Sequence, residues 1–547
     1  MSQRTLITNA AIYAPSVPFA TAMLIDGAEI AWIGDHSGAE VHRELADVTI
    51  NADGYFLAPG FVDAHVHSTS TGIMLGGLNL TQVQSKDQLL GLLADYAKHV
   101  NGATILGHGW DETNWINAEL PTRSEIDRAT WGSVVYLSRV DVHSAFVSNS
   151  LIAQAPESKG LTGFGEGPVT QLAHGALRTY ALGSISDAQR GTAQESFFKN
   201  ALQHGIVSVH EMAGPQISSH QDARALKNLA SQRGMPHLAI YWGELFNDNT
   251  REIISDLGAN GAGGDLFIDG AIGSRTALLH APYNDDQQSS GASYLTAEQV
   301  ADHLVACTES GIQGGFHVIG DSACEIAIRG ASMAADRTLG TDFKKLRHRL
   351  EHAEMLTDLH IATMRTLGMS ASMQPLFDSW WGHTGGMYET RLGERSQNMN
   401  RWGSLQSHGT AVCFSSDSPV TPNTPWNAVH AAMHHHNPKE RITGRAAFAA
   451  HTRGGWRALG PQFDAEGVIE VGATANLATW RVEDYQVHVP DARVTQWSTD
   501  PRSATVPLPS LGEADSPLIP INVCTIVNGD IAYLEDNFAD RVTTDGP

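Results

Sequence analysis

From about residue 200 to residue 460, apolar positions follow two alternating rhythms: short continuous runs that suit buried strands, and longer stretches with helical spacing. Thr296 and Gln299 have the form of a capping box, and an apolar helical run continues to Thr308. Gly311 stands where a C-terminal cap belongs, and Gly315-Phe-His-Val-Ile follows as a strand. Thr357 to Gly368, then Met369 to Met373, repeat that grammar. Helices alternating with strands predict a parallel sheet of the α/β class.

Both ends of the chain read differently. Residues 1–58 hold short strand-like pieces, Thr5 to Ile7, Ala22 to Ile25, Glu29 to Ile33 and Val48 to Asn51, separated by Gly, Asp and Asn turn signals. From about residue 466 the same texture returns in Gly467-Val-Ile-Glu-Val-Gly, Ala475-Asn-Leu-Ala-Thr-Trp and Val523-Cys-Thr-Ile-Val-Asn-Gly-Asp-Ile-Ala-Tyr. The two ends, 1–58 and 466–547, are expected to form one β-sandwich around a central unit spanning 59–465. Within that unit, about 76–200 does not fit a single strand-helix repeat. It is rich in Gly, Pro, Trp and charge, and is expected to be an insertion over the functional face.

At 547 residues the chain exceeds the size at which single cores stop growing, so a large catalytic unit with an accessory domain is expected. No run approaches the roughly 20 apolar residues of a membrane span. The first residues lack the pattern of a secretion signal, so a cytoplasmic location is expected. The formal charge of -24 argues against nucleic acid and anionic membranes as partners. Cys307, Cys324, Cys413 and Cys524 lack disulfide spacing and are expected to be reduced, mostly buried thiols. A homodimer is the expected assembly, as the commonest closed one.

The strongest chemical signal is Leu57-Ala-Pro-Gly-Phe-Val-Asp-Ala-His65-Val-His67. Alternate residues of a strand share a face, so His65 and His67 can hold one metal ion. Three further strand-like segments end in ligand-type residues: His317 before Val-Ile-Gly-Asp321, His352 in Arg349-Leu-Glu-His, and Asp417 in Ser415-Ser-Asp-Ser-Pro. In a barrel such strand ends converge on one face. Four histidines and a carboxylate there suit zinc, with one coordination position left for water. A serine triad would need a nucleophile elbow, which the chain lacks, although Ser415 and Ser416 adjoin Asp417. His434, His435 and His436 diverge around a helix and are expected to be structural or to line the substrate site. His210, in Val207-Ser-Val-His-Glu, is expected at the end of a third barrel strand.

Taken together, Pro-Gly-Phe-Val-Asp-Ala-His-Val-His, the Gly-Asp after His317, the Glu-His pair and Ser-Asp-Ser-Pro resemble the amidohydrolase superfamily. Gly109-Trp-Asp-Glu, Arg139-Val-Asp-Val-His143, Phe267-Ile-Asp-Gly-Ala-Ile-Gly-Ser-Arg-Thr276 and Met373-Gln-Pro are similar to its amidohydrolase-3, or YtcJ-like, branch, and the match runs from about residue 3 to 535. The resemblance implies a distorted (β/α)8 barrel with a sandwich built from both termini. It implies His65, His67, His317, His352 and Asp417 as metal-site residues. Asp417 is then the proton-transferring carboxylate, and His317 and His352 assist at the oxyanion. Trp110, Asp141, His143, Arg275 and Gln374 are expected to bind substrate. Many members carry a carbamylated lysine where this chain has Asp265, so one tightly bound zinc is expected, with a weaker second metal open. The expected reaction is hydrolysis of a carbon-nitrogen bond, with an N-substituted formamide as the specific substrate, giving formate and an amine. Alternatives are a carbamate, urea or N-acyl amino acid hydrolase, or a barrel that binds metal without catalysis.

Overall fold

Eight short strands that are buried along most of their length line up in parallel, as strands buried on both faces usually do. The computed structural model describes residues 3–100, 103–117, 119–338, 340–486 and 506–544. The strands are β1 (Phe61–Val66), β2 (Ile206–Ala213), β3 (His237–Trp242), β4 (Gly261–Ala262), β5 (Gln313–Val318), β6 (Arg349–His352), β7 (Ser370–Met373) and β8 (Ala411–Phe414). Neighbours pair in chain order from β1 to β8. The ring closes just past β8, where the Asp417 amide donates to the His65 carbonyl and the His67 amide to the Ser418 carbonyl, both at 2.9 Å. The result is a (β/α)8 barrel.

The helices around it begin and end where their sequences say. Thr296 and Gln299 make the expected capping box at the head of helix Ala297–Glu309. Thr357 caps Asp358–Leu367, which ends at Gly368 with φ +70°. His210 lies on β2 and not on a third strand, because the insertion after β1 contains no barrel strand.

That insertion has its own sheet, with spatial order Val169–Thr170, Ser144–Val147, Val135–Arg139, Ile105–Trp110, Leu78–Asn79, and it carries helix Gln171–Gly183. The chain returns to the barrel through helix Asp187–Gln203.

The termini form two sheets that share a core of Ile7, Ile25, Ile50, Leu57, Leu477 and Ile526. In one, Arg4–Thr8, Ala22–Asp26, Glu29–Gly34 and Val48–Asn51 are joined by C-terminal Val542–Thr544. In the other, Ala11–Ile12 and Phe56–Pro59 meet Leu477–Arg481, Ile521–Val527 and Asp530–Leu534. The expected strand at Gly467–Gly472 does not form. That segment is bends and turns, and only Ile469 is buried against the sandwich. Residues 487–505 of the C-terminal segment lie outside the described residues. Among the described residues no helix is long and apolar enough to cross a membrane, and all four cysteines are buried free thiols.

Directly after the two histidines of β1 comes helix Ser68–Gly76, which packs on Asp187–Gln203 through Gly72. A Cβ on Gly72 would lie 1.8 Å from the Ala193 carbonyl oxygen, so any side chain there forces the helices apart. Gly72→Ala is expected to lower unfolding free energy by about 1–3 kcal/mol, the usual cost of overpacking. A urea midpoint equal to that of the parent protein would refute this account of the close approach.

Candidate metal centre and active-site cavity

His65 is the next-to-last residue of β1 and His67 follows its end, so the two-residue repeat turns both rings toward the barrel interior. Their Nε2 atoms lie 3.3 and 3.2 Å from Asp417 Oδ1, and 3.5 and 3.2 Å from Asp265 Oδ1 and Oδ2 respectively. Asp265 follows β4 and Asp417 follows β8. From β5, His317 brings Nδ1 to 3.4 Å from Asp265 Oδ1, and at the end of β6 His352 brings Nε2 to 3.9 Å from the same oxygen. His352 and Asp417 hold left-handed backbones, φ +67° and +53°. Such conformations disfavour a side chain and collect at functional sites.

The far nitrogen of each ring is occupied. His65 Nδ1 faces Glu351 Oε2 at 2.9 Å, His67 Nδ1 the Met212 carbonyl at 3.2 Å, His317 Nε2 the Gly270 carbonyl at 3.3 Å, and His352 Nδ1 Gln374 Oε1 at 2.9 Å. Each partner is an acceptor, so each ring carries its proton on that side and aims a lone pair at the shared centre. Glu351 is gripped by Arg349, Nε to Oε1 at 2.6 Å and Nη2 to Oε2 at 2.9 Å. Burial alone would raise the Glu351 pKa, but the guanidinium beside it wins and brings it to about 2.

At the centre, His65 Nε2, His317 Nδ1, His352 Nε2, Asp265 Oδ1 and Asp417 Oδ1 are buried and make no hydrogen bond. Burial opposes a charge on His67, yet its contacts with Asp265 and Asp417 lift its pKa to about 9. His65 is lifted in the same way, and both carboxylates are held well below the ordinary range despite burial. The field therefore favours positive charge at this point. Bonds of about 2.0–2.1 Å from one tetrahedral ion would set its ligands about 3.4 Å apart, which matches the 3.2–3.5 Å from the His65 and His67 nitrogens to the nearest Asp265 and Asp417 oxygens. The donor set fits a divalent metal. A second histidine group, His435 and His436 with Asp378, does not. Its ring nitrogens are already bonded, to Asn400, Asn437, Asp378 and Ser396, so its role is structural.

This centre forms the floor of a cavity of about 710 Å³. Of the residues expected to bind substrate, His143 lines it, with its ring 5.1 Å from that of His317. Burial holds His143 neutral. Gln374 instead orients His352 and donates to Ser415. Asp141 faces a smaller pocket of about 20 Å³ behind His317 and His352, where Arg139 and Ser274 hold it. Trp110 is outside the cavity lining. Its Nε1 donates to the Leu137 carbonyl and its ring stacks on Phe146 in the insertion core. Arg275 pairs with Asp285 at 2.7 Å, also away from the cavity. Ser415 and Ser416 contact Gln374 and Asp63 rather than a histidine, which leaves no triad. Sequence reasoning missed the cavity face of helix Gln171–Gly183, formed by Gln171, His174, Gly175 and Arg178. Their i, i+3, i+4, i+7 spacing was the available signal.

Residues 48–533 match the model of the amidohydrolase family. The Arabidopsis thaliana protein LONG AFTER FAR-RED 3 is 25% identical over 486 residues, 82% of this chain and 82% of that one. The N-substituted formamide deformylase of Arthrobacter pascens is 23% identical over 501 residues, 84% and 89% of the two chains. A crystal structure of an uncharacterized metal-dependent hydrolase from Pyrococcus furiosus shares the fold with TM-score 0.66 and 24% identity, over 87% of this chain and 98% of that one.

Glu351 touches no shared-centre atom except through His65. Replacing the carboxylate that orients a ligand histidine weakens metal binding by roughly 10–100-fold. Glu351→Gln should show that loss when zinc is titrated against a chelator, and an unchanged affinity would remove Glu351 from the metal centre.

Proposed function

The chain belongs to the amidohydrolase family, and from that premise we propose that it is a metal-dependent hydrolase cleaving the carbon-nitrogen bond of a small amide. The observation that carries this reading is the set of five buried, unbonded nitrogen and oxygen atoms gathered on the floor of an open cavity. A structural metal site would be closed by its protein ligands and would need no cavity.

Imidazole and carboxylate donors without thiolate suit zinc among the common divalent ions. His65, His67, Asp417 and Asp265 would hold one ion tightly. His317 and His352, whose contacts to Asp265 Oδ1 are 3.4 and 3.9 Å, would hold a second more weakly. A divalent ion bound there supplies Lewis acidity, polarising a carbonyl and lowering the pKa of water.

The residues divide the remaining work. Asp417 is kept ionised, so it can take a proton from the attacking water. Water adds to the carbonyl carbon, and the C–N bond breaks as Asp417 returns that proton to the departing nitrogen. The neutral His143 ring can donate a hydrogen bond to the oxygen on which charge develops. The acyl side meets only the pocket of about 20 Å³, room for hydrogen or a methyl group, whereas the amine side opens into the large cavity. This shape supports a formamide, the substrate class in the name of the Arthrobacter relative, with formate and an amine as products.

The test pairs metal analysis with turnover of N-substituted formamides, N-acetyl and N-benzoyl analogues, carbamates and ureas. Zinc should copurify, formamides should be cut fastest, and Asp417→Asn should lower kcat by about 100-fold or more. Protein free of metal in both forms, or an Asp417→Asn variant that turns over normally, would overturn the reaction. Faster cleavage of the benzoyl amides would overturn the formyl assignment alone.

A further inference from the structure

Helix Gln171–Gly183 lays one face along the cavity, and that face carries Arg178. The residue is 7% exposed. Among the described residues its guanidinium has neither a hydrogen-bond acceptor nor a carboxylate partner, whereas the other deeply buried arginines are tied down. Arg139 holds Asp111, Glu112 and Asp141, Arg349 holds Glu351, and Arg391 holds Glu112 and Asp285. A buried cation is costly unless something negative meets it.

Nothing nearby serves that purpose. Its polar surroundings, His108, His174 and Tyr136, are bonded to other groups. His108 binds Ser138 and the Pro419 carbonyl, and Tyr136 binds His174 at 2.7 Å. Burial keeps both histidines uncharged, and Arg178 adds to that effect. The carboxylates that line the cavity are Asp265 and Asp417 at the metal centre and Glu244, which accepts from Trp242 Nε1. Among the described residues Arg178 is the one arginine or lysine on the cavity lining, and it comes from the insertion rather than from a barrel strand.

We propose that Arg178 binds a carboxylate on the amine side of the substrate, so that the natural substrates are N-acyl amino acids, with N-formyl amino acids as the specific class. This rests on the amide-hydrolase reading above and deepens it. A guanidinium presents two parallel N–H donors that match a planar carboxylate. With one cation and a floor that carries two carboxylates, the cavity suits a single negative charge and would repel a phosphate dianion. The short acyl group lies in the small pocket, the scissile bond over the metal centre, and the α-carboxylate, two bonds from the scissile nitrogen, turns toward Arg178 on the cavity wall. Arg178 is thus a specificity-determining residue that takes no part in proton transfer.

The test uses the full-length zinc-loaded protein with N-formyl-, N-acetyl- and N-benzoylphenylalanine, each paired with its carboxamide, in the parent protein and in Arg178→Met and Arg178→Lys. Equilibrium binding and kcat/KM are measured on each pair. Removing one member of a buried charge-assisted pair costs enough that the carboxylate should be preferred by about 100-fold in the parent, mostly through KM. The preference should collapse toward one in Arg178→Met and be only partly restored in Arg178→Lys, which keeps the charge and loses the fork. Arg178→Met should fold, since an apolar side chain of similar length replaces an unpaired buried charge, and an unchanged melting curve checks this. A carboxylate preference absent in the parent, or equally large in a folded Arg178→Met, overturns the proposal. If the parent binds carboxylates preferentially and that preference vanishes in Arg178→Met, but neither compound of any pair is hydrolysed, the anion site stands and the reaction assigned above fails.

Discussion

Holding six ionisable side chains around one buried point is the constraint on which this structure turns. Two carboxylates and four imidazoles meet below the cavity, and five of their atoms lack hydrogen bonds there. Each unsatisfied buried polar atom costs on the order of 1–3 kcal/mol, so the arrangement would relax if the scaffold allowed it. The scaffold does not allow it. Every histidine is pinned from behind by an acceptor on a neighbouring strand or loop. Behind His65, the chain of support runs through Glu351 to Arg349, whose guanidinium also reaches the Ala64 carbonyl and lies over the Tyr241 ring. Positive charge in the centre resolves the conflict for all of them together.

The barrel explains why the chemistry and the recognition come from different parts of the chain. Strand ends provide rigid, repeatable positions, and the clustered histidines and carboxylates occupy the ends of β1, β4, β5, β6 and β8. The segment between β1 and β2 is free of barrel geometry. It builds its own sheet and lowers helix Gln171–Gly183 over the opening. Shape and charge on this side of the cavity can therefore change without disturbing the histidine and carboxylate cluster.

How legible the site was in the sequence follows from the range of the interactions involved. His65 and His67 could be found because a two-residue period is local, and His317, His352 and Asp417 because each closes a strand-like run before a turn. The sandwich was legible from texture at both ends, although Gly467–Gly472 has the residues of a strand and forms none: it meets strand Glu29–Gly34 only at its end, where the Gly472 amide donates to the Ile30 carbonyl. Asp265 stood out only as a departure from lysine. Its two oxygens facing different histidines is a property of the assembled barrel. Trp110 and Arg275 sit in motifs that suggested substrate contact, and local neighbours decide otherwise: Phe146 and the Leu137 carbonyl claim the indole, and Asp285 claims the guanidinium. Arg178 shares the helical spacing of the cavity face, but its significance is the absence of a partner among the described residues, which no stretch of sequence displays.

The joining of the two termini bears on how the molecule is made. Strand Phe56–Pro59, which runs directly into β1 and its histidines, pairs with Leu477–Arg481, a segment synthesised some four hundred residues later. Contacts of such long range form slowly, and during translation their second half does not yet exist. A nascent chain thus exposes His65 and His67 before the strand that anchors them has emerged, and the order of synthesis places completion of the cavity floor near the end of folding.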